Sequence, residues 1–366
     1  MELKELTLRN FRNYDYAHVN FAPGVNLIVG NNAQGKTNLL EAISYLGAGK
    51  SFRALKSSEM VRFGAEFADI SGLVDSQERQ QALRWVIFGA NRPRQLWRNG
   101  VKKKTAADIS GVLQTVLFCP EDLMVLKAGS SARRRLGDQA LCQLRPNYEA
   151  ALTEYHRILE QKSRILKDRY ENPRVADILP EYNARLCQVG ALLISYRARV
   201  YEGLGKAAAK YHGHFSGGHE DFSLQYRTVS TVTDPFAPVD TLRGQLQEHL
   251  ESHYRAELES AQCLTGPHKD DFTVYLSGID LKSYGSQGQT RTAAISLKLA
   301  QRELMGRESG QIPVLLLDDV LSELDPGRQD FVLNQITEGQ VFITCCEPGQ
   351  FTKLGKTIEI EKGNVK

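Results

Sequence analysis

Gly30-Asn31-Asn32-Ala33-Gln34-Gly35-Lys36-Thr37 sets two glycines, a lysine and a hydroxyl at the spacing G-x-x-x-x-G-K-[ST]. The glycines let the backbone turn its N–H groups inward, so these residue types fit phosphate oxygens. Lys36 would reach the terminal phosphates and the Thr37 hydroxyl would ligate Mg²⁺. Near the other end of the chain, Val314-Leu315-Leu316-Leu317 runs into Asp318 and Asp319. Two carboxylates closing an apolar strand are costly unless they meet a cation. Asp318 is the expected Mg²⁺ partner, directly or through water, and Asp319 the base that orients water. Lys36 and Asp319 are the candidate catalytic residues. Together the segments predict a nucleoside triphosphatase site assembled from both ends of the chain.

The elements that must hold these groups are legible around them. Residues 25–29 form a short apolar run that predicts a parallel strand, and Leu39, Leu40, Ile43 and Leu46 follow at helical spacing. The loop thus lies between strand and helix, where its dipole and amides serve an anion. Residues 321–326 form a turn that puts Asp325 just beyond the acidic pair. Residues 283–289 form a Gly/Ser turn that opens a helix over residues 290–302, a second anion-binding arrangement or simply a polar turn.

Residues 1–132 read as strands mixed with one strong helix, the first half of an α/β head. Residues 133–254 read as an inserted helical arm, with the helical pattern running from 133 to about 210, and residues 255–366 complete the head. Apolar residues recur at three- and four-residue steps over 148–166 and 184–209, separated by Pro173 and Pro180, which predicts a helical hairpin. Residues 212–240 read as a Gly/Pro-rich stretch with one strand at 222–226. His212, His214 and His219 are read there as loop side chains rather than metal ligands.

The chain has 366 residues, of which 42% are hydrophobic and 24% charged, as expected of a soluble protein with a large core. A net charge of +3 is too mild to prove a nucleic-acid partner. Distribution says more: Arg84, Arg92, Arg94, Arg98, Lys102, Lys103 and Lys104 lie in a stretch without a carboxylate, around an Asn99-Gly100 hairpin turn. Arg92, Arg94, Lys102, Lys103 and Lys104 are the candidate DNA-phosphate contacts. A solvated edge protected by lysines reads equally well. The six cysteines show no metal or redox spacing and read as buried thiols of a reducing compartment. With no signal peptide or apolar run of membrane length, a cytoplasmic protein is expected.

Gly285-Ser286-Gln287-Gly288-Gln289 resembles the signature of ATP-binding-cassette ATPases. The long separation of the motifs resembles the chromosome-maintenance branch of that superfamily rather than transporters. Residues 8–14, 30–38, 118–123 (Phe-Cys-Pro-Glu-Asp-Leu), 266–271 (Gly-Pro-His-Lys-Asp-Asp) and 284–289 resemble the RecF family of bacterial recombination mediators. The resemblance implies an α/β P-loop ABC-type ATPase head, a mixed sheet with helices, split by an inserted α-helical arm. It implies ATP and Mg²⁺, with Gly30, Asn31, Asn32, Ala33, Gln34, Gly35, Lys36, Thr37, Asn38 and Arg12 around the nucleotide. Ser286, Gln287, Gly288, Gln289 and Asp325 would touch the ATP of a second copy in an ATP-dependent homodimer. That dimer would clamp single-stranded, double-stranded or gapped DNA and promote RecA loading with RecO and RecR in DNA damage repair, replication and the SOS response, with slow hydrolysis resetting it. A different SMC-like scaffold and a transporter's ATPase subunit are the alternatives. The chain departs from transporter cassettes in carrying no histidine over residues 341–346, where Thr344 or Cys345 stands. Gln114 lies near the expected glutamine-loop position, with its register open.

Overall fold

In a computed structural model, residues 1–76, 79–89, 92–171, 173–346 and 353–366 are described. The strands are β1 (Glu2–Phe11), β2 (Tyr14–Asn20), β3 (Val25–Val29), β4 (Phe67–Ser76), β5 (Arg79–Phe88), β6 (Gln95–Arg98), β7 (Val101–Lys103), β8 (Thr115–Phe118), β9 (Phe222–Arg227), β10 (Asp271–Leu276), β11 (Ile279–Asp280), β12 (Val314–Leu317), β13 (Val341–Cys345), β14 (Gly355–Glu361) and β15 (Asn364–Val365). The helices are α1 (Lys36–Ala48), α2 (Ser130–Leu144), α3 (Pro146–Asp168), α4 (Leu179–Ser216), α5 (Val239–Ser260), α6 (Leu281–Tyr284), α7 (Gln287–Ser309) and α8 (Pro326–Gln335). The chain divides into two compact units, Met1–Leu123 with Lys298–Lys366, and Met124–Leu297, so the division falls within α7.

The first unit holds two six-stranded sheets. One is antiparallel in the order β2-β1-β4-β5-β6-β7, and its strands alternate buried and accessible residues, the pattern of a sheet covered on one face. The other has the order β15-β14-β3-β13-β12-β8, parallel except for the β15 edge. Its central strands are mainly apolar, with Asn26 of β3 and Thr344 of β13 as buried polar exceptions, and all four residues of β12 are apolar and buried, as parallel strands covered on both faces must be. Helix α1 packs against strands of both sheets and is buried nearly all round, with Leu39, Leu40, Ile43, Tyr45 and Leu46 in one continuous core with Leu6, Ile70, Trp85, Leu316 and Phe342. A Cβ on Gly47 would meet the Leu113 carbonyl oxygen at 2.3 Å, so only glycine lets the helix approach this backbone. Gln340 binds the two sheets: its side chain accepts from the Leu3 N–H at 2.7 Å and donates to the Leu3 carbonyl at 2.9 Å.

The second unit is built from α2–α5, the three-stranded sheet β11-β10-β9, α6 and the start of α7. Tyr148, Leu152, Tyr155, Leu186, Val189 and Leu193 form the seam between α3 and α4, the helical pair the periodicity predicts. Helix α5, absent from the sequence reading, seats Leu242, Leu246 and Leu250 on Cys187, Ala191 and Ile194 of α4. This unit is wider than residues 133–254 because β10 pairs with β9 and α5 packs on α4. His212 and His214 lie on the last turns of α4 rather than in a loop; His212 is fully buried and its Nε2 meets Glu220 at 2.8 Å.

The Gly266–Asp271 segment is the hub of this unit. The Arg197 guanidinium donates to Asp270 at 2.8 Å, Asp138 at 2.9 Å and the Pro267 carbonyl at 2.6 Å, while Arg133 pairs with Asp271 at 2.6 Å. His268 bonds the Tyr155 hydroxyl at 2.7 Å and the Cys263 carbonyl at 3.0 Å. A buried ion pair, Lys162–Glu257 at 2.5 Å, ties α3 to α5. No described helix is long and apolar enough to cross a membrane.

Candidate nucleotide site

Strand β3 delivers Gly30 to the end of the parallel sheet, and α1 starts at Lys36, so the loop lies where strand carboxyl ends and a helix amino end converge. Its shape depends on glycine at two points. A Cβ on Gly30 would stand 2.3 Å from the Ile360 carbonyl oxygen of β14. Gly35 has φ +119°, and a Cβ there would meet the Asn13 amide at 2.7 Å and the Tyr14 hydroxyl at 3.0 Å. Ala33 also takes positive φ, at 63°.

The loop is braced from outside by both chain ends. The Tyr14 hydroxyl donates to the Gly35 carbonyl at 2.9 Å, and Asn13 donates to the Gln34 carbonyl at 2.8 Å. Asn13 in turn accepts from Asn38, which accepts from Arg53. From the β14–β15 turn, the Lys362 and Gly363 amides donate to the Gln34 side chain at 2.6 Å and to its carbonyl at 3.0 Å. Asn31, Asn32 and Ala33 are exposed at the tip. The Lys36 ammonium lies inside the loop, against the carbonyls of Gly30 at 2.6 Å and Asn31 at 3.2 Å and the Cys346 sulfur at 3.4 Å. Cys346 also donates to Asn32 at 2.9 Å and is exposed, unlike the buried thiol expected of it.

The acidic strand end meets this loop directly. The Thr37 hydroxyl donates to Asp318 Oδ1 at 2.9 Å. The Thr344 hydroxyl donates to the same oxygen at 3.0 Å and accepts the Asp319 N–H at 2.8 Å. Both hydrogen bonds to the Asp318 carboxylate fall on Oδ1, leaving Oδ2 without a partner among the described residues. Burial raises the Asp318 pKa and the neighbouring Asp319 adds to the rise, while the two threonine hydrogen bonds oppose it. A carboxylate so desolvated, beside a hydroxyl, is a hard-oxygen donor set suited to Mg²⁺, which takes few protein ligands and fills its shell with phosphate and water. Thr37 and Asp318 are the residues that would hold it, and the ion would neutralise phosphate charge there. Asp319 takes a left-handed backbone (φ 50°), and its carboxylate has no hydrogen-bond partner among the described residues.

Other expected site residues lie elsewhere. Arg12 places its guanidinium on the buried Glu41 of α1 through two 2.8 Å bonds and on the Glu59 carbonyl. Gln114 precedes β8, and the parallel register pairs Phe118, not Gln114, with Leu317. Gln114 therefore lies at the strand end away from Asp318, and residues 119–122 occupy the near end. There Lys298, which sequence reasoning missed, pairs with Asp122 at 3.1 Å and donates to the Leu117 carbonyl at 2.8 Å. Thr344 was singled out only as one of two residues standing where transporter cassettes carry a histidine, and Tyr14 only as the end of segment 8–14; the hydrogen bonds of both to the site emerge from the fold.

In the second unit, Ser286 and Gln289 form a reciprocal cap on α7: the Ser286 N–H donates to the Gln289 side chain at 3.0 Å and the Gln289 N–H to Ser286 Oγ at 3.2 Å. Ser286 and Gln287 are exposed, and Gln289 donates to Glu220 at 2.7 Å. Asp325 caps α8 by accepting the Arg328 N–H at 3.1 Å and pairs with its guanidinium, which lowers its pKa.

The basic segment forms the β6–β7 hairpin, with Asn99 and Gly100 at φ 51° and 76°, as an Asn-Gly turn requires. Arg84 and Lys102 flank the Trp97 ring at 5.3 and 5.8 Å. Arg94 is tied to α1, donating to the Tyr45 hydroxyl at 3.1 Å and lying 4.9 Å from the Trp85 ring centre. Arg92, Lys102 and Lys104 are exposed and Lys103 half-buried; the three lysines make no ion pair among the described residues.

A glycine-rich phosphate loop, a hydroxyl and an acidic strand end on one parallel sheet define the head of a P-loop ATPase of the cassette type. The family model described as the RecF/RecN/SMC N terminal domain matches residues 2–366. The DNA replication and repair protein RecF of Agathobacter rectalis is 36% identical over 369 residues, covering 100% of this chain and 99% of its own. That of Clostridioides difficile is 37% identical over 369 residues, covering 100% and 98%. A solved structure of the recombination mediator protein RecF-ATPrS in the RecFOR pathway superposes with a TM-score of 0.92 at 34% identity, covering 100% of this chain and 97% of that one. An Smc head domain from Pyrococcus furiosus, at 17% identity and a TM-score of 0.56, shares the fold. The chain belongs to the RecF family of DNA replication and repair proteins, and its fold is an ABC-type ATPase head with an inserted helical region.

Proposed function

We propose that this chain is an ATP-driven DNA clamp in which nucleotide joins two heads and slow hydrolysis releases them. The observation that carries the nucleotide site is the 2.9 Å bond from Thr37 to Asp318, which closes the site from both ends of the sequence. Family membership implies ATP-hydrolysing activity, and the RecF structure solved with ATP supports ATP as the nucleotide. In this reading Gly30–Thr37 and Asn38 hold the phosphates, Lys36 meets their terminal charge, Thr37 and Asp318 hold Mg²⁺, and Asp319 orients the attacking water. Ser286, Gln287, Gly288 and Gln289, with Asp325, meet the ATP of a second copy. The capping box supports that role by holding Ser286 exposed at the start of α7, whose dipole favours an anion there. The β6–β7 lysines supply DNA-phosphate contacts, and the arm of residues 133–254 takes DNA or a partner. RecO, RecR and RecA are the partners the family points to, and a cytoplasmic location follows from that work.

ATP would stabilise the dimer only through contacts absent from the single chain. Sedimentation with and without ATP tests this. Dimers should appear with ATP and vanish in Ser286→Arg, while Lys36→Ala should lose nucleotide binding itself. Wild-type chains that stay monomeric at saturating ATP would refute the clamp. A binding assay on gapped, single-stranded and duplex DNA, with and without ATP, separates junction recognition from general backbone binding.

A further inference from the structure

We propose that Thr344 is a positioning residue of the nucleotide site, whose hydroxyl fixes Asp318 and Asp319 together in the geometry needed for the divalent cation and the water. The inference rests on the triphosphatase reading above and assigns a role to a residue outside both motifs.

Thr344 lies on β13, the parallel neighbour of β12, in register just past the Leu317–Ile343 pair, so its side chain comes level with the acidic pair. It is buried, at 2% exposure. A threonine hydroxyl has one proton to give and lone pairs to receive. Here the proton goes to Asp318 Oδ1 at 3.0 Å, and a lone pair takes the Asp319 N–H at 2.8 Å. One side-chain atom thereby couples a carboxylate to the backbone of its neighbour. The second bond holds an unusual conformation, because Asp319 has φ 50°, a left-handed backbone that L residues adopt at a cost. The first bond, together with Thr37, anchors Oδ1 and turns Oδ2 away from protein donors. Being β-branched, Thr344 has few χ1 alternatives on a strand, so the hydroxyl is set before nucleotide arrives.

Valine fills the same space without the hydroxyl. In Thr344→Val the Asp319 N–H loses its acceptor and Asp318 keeps a single anchoring donor. Serine restores the hydroxyl with less packing. Hydrogen bonds to charged groups are strong enough that losing this pair should change cation use about tenfold or more.

The test uses the full chain and two readouts, the Mg²⁺ midpoint for tight ATP binding and the turnover rate. For Thr344→Val we expect ATP affinity in EDTA within about twofold of wild type, an Mg²⁺ midpoint raised about tenfold and turnover lowered about tenfold, while Thr344→Ser stays within about threefold on both. A valine chain with wild-type Mg²⁺ midpoint and turnover overturns the proposal. A serine chain as impaired as valine also overturns it, because packing rather than the hydroxyl would then be responsible. If wild type itself shows no Mg²⁺-dependent ATP binding, the triphosphatase reading fails first and this inference with it.

Discussion

Arg12 separates two kinds of work, holding a helix and touching a nucleotide, and replacing it distinguishes them. The Glu41 side chain is fully buried and that of Arg12 is 22% exposed. Two parallel 2.8 Å bonds join guanidinium to carboxylate, the strong bidentate geometry. Removing one partner of a buried pair leaves an uncompensated charge and costs roughly 3–5 kcal/mol. The Ser51 hydroxyl still donates to Glu41, and water reaches the partly exposed side of the pair, so the low end applies. Arg12→Ala should therefore destabilise the chain by about 3 kcal/mol. Adding Glu41→Gln removes the stranded charge and should recover more than half of that loss, a non-additivity that the double-mutant cycle reads directly. The assay is urea denaturation of the wild type, both single variants and the double, with ATP affinity measured alongside. A denaturation midpoint that stays put while ATP affinity falls tenfold would refute this reasoning and return Arg12 to the nucleotide.

Burial lowers the His268 imidazole to about 4, below the 6.5 of an unperturbed histidine. The unfolded chain then takes up this proton first, so the stability from His268 is whole above pH 6.5 and is lost as pH falls toward 4. His268→Gln should flatten the pH–stability slope in that window by up to about 3 kcal/mol, and parallel slopes for the two chains would refute it. Gly35→Ala forces a side chain onto φ +119° and against Asn13, so ATP affinity should fall about tenfold or more in equilibrium titration, with unchanged affinity contradicting the loop's dependence on glycine. Replacing Lys103 and Lys104 by Ala should weaken DNA binding and reduce the dependence of log K on log salt by about 1–2; an unaltered slope would leave the hairpin as a solvated edge.

The nucleotide site was legible because its parts are local signals. A loop motif flanked by an apolar strand and a helix-period run needs only a few consecutive residues to be read, and so does an apolar strand ending in Asp318-Asp319. What escaped depends on register between distant strands. The choice between Thr344 and Cys345 is made only once β13 is known to lie beside β12, and the open register of Gln114 closes only when parallel pairing puts it at the far end of β8. Arg12 could not be assigned to Glu41 from sequence, because a bidentate pair leaves no periodic trace. Helix α5 did leave one, since Leu242, Leu246 and Leu250 recur at four-residue steps; the surrounding polar residues obscured it. His212 was misplaced for a related reason, as α4 continues through Gly205 and Gly213, where glycine weakens a helical reading.

Strand β3 has only two neighbours in its sheet, β13 and β14, and both come from the last stretch of the sequence. During synthesis on the ribosome the phosphate-loop strand must therefore wait, its apolar residues and both its edges unpaired, until nearly the whole chain has emerged. Few early contacts can reward closing so long a loop, which makes assembly of this unit slow and exposes the nascent chain to edge-to-edge association. Premature termination upstream of β13 would yield a polypeptide that carries an intact Gly30–Thr37 sequence but lacks both strands that flank β3 in the parallel sheet.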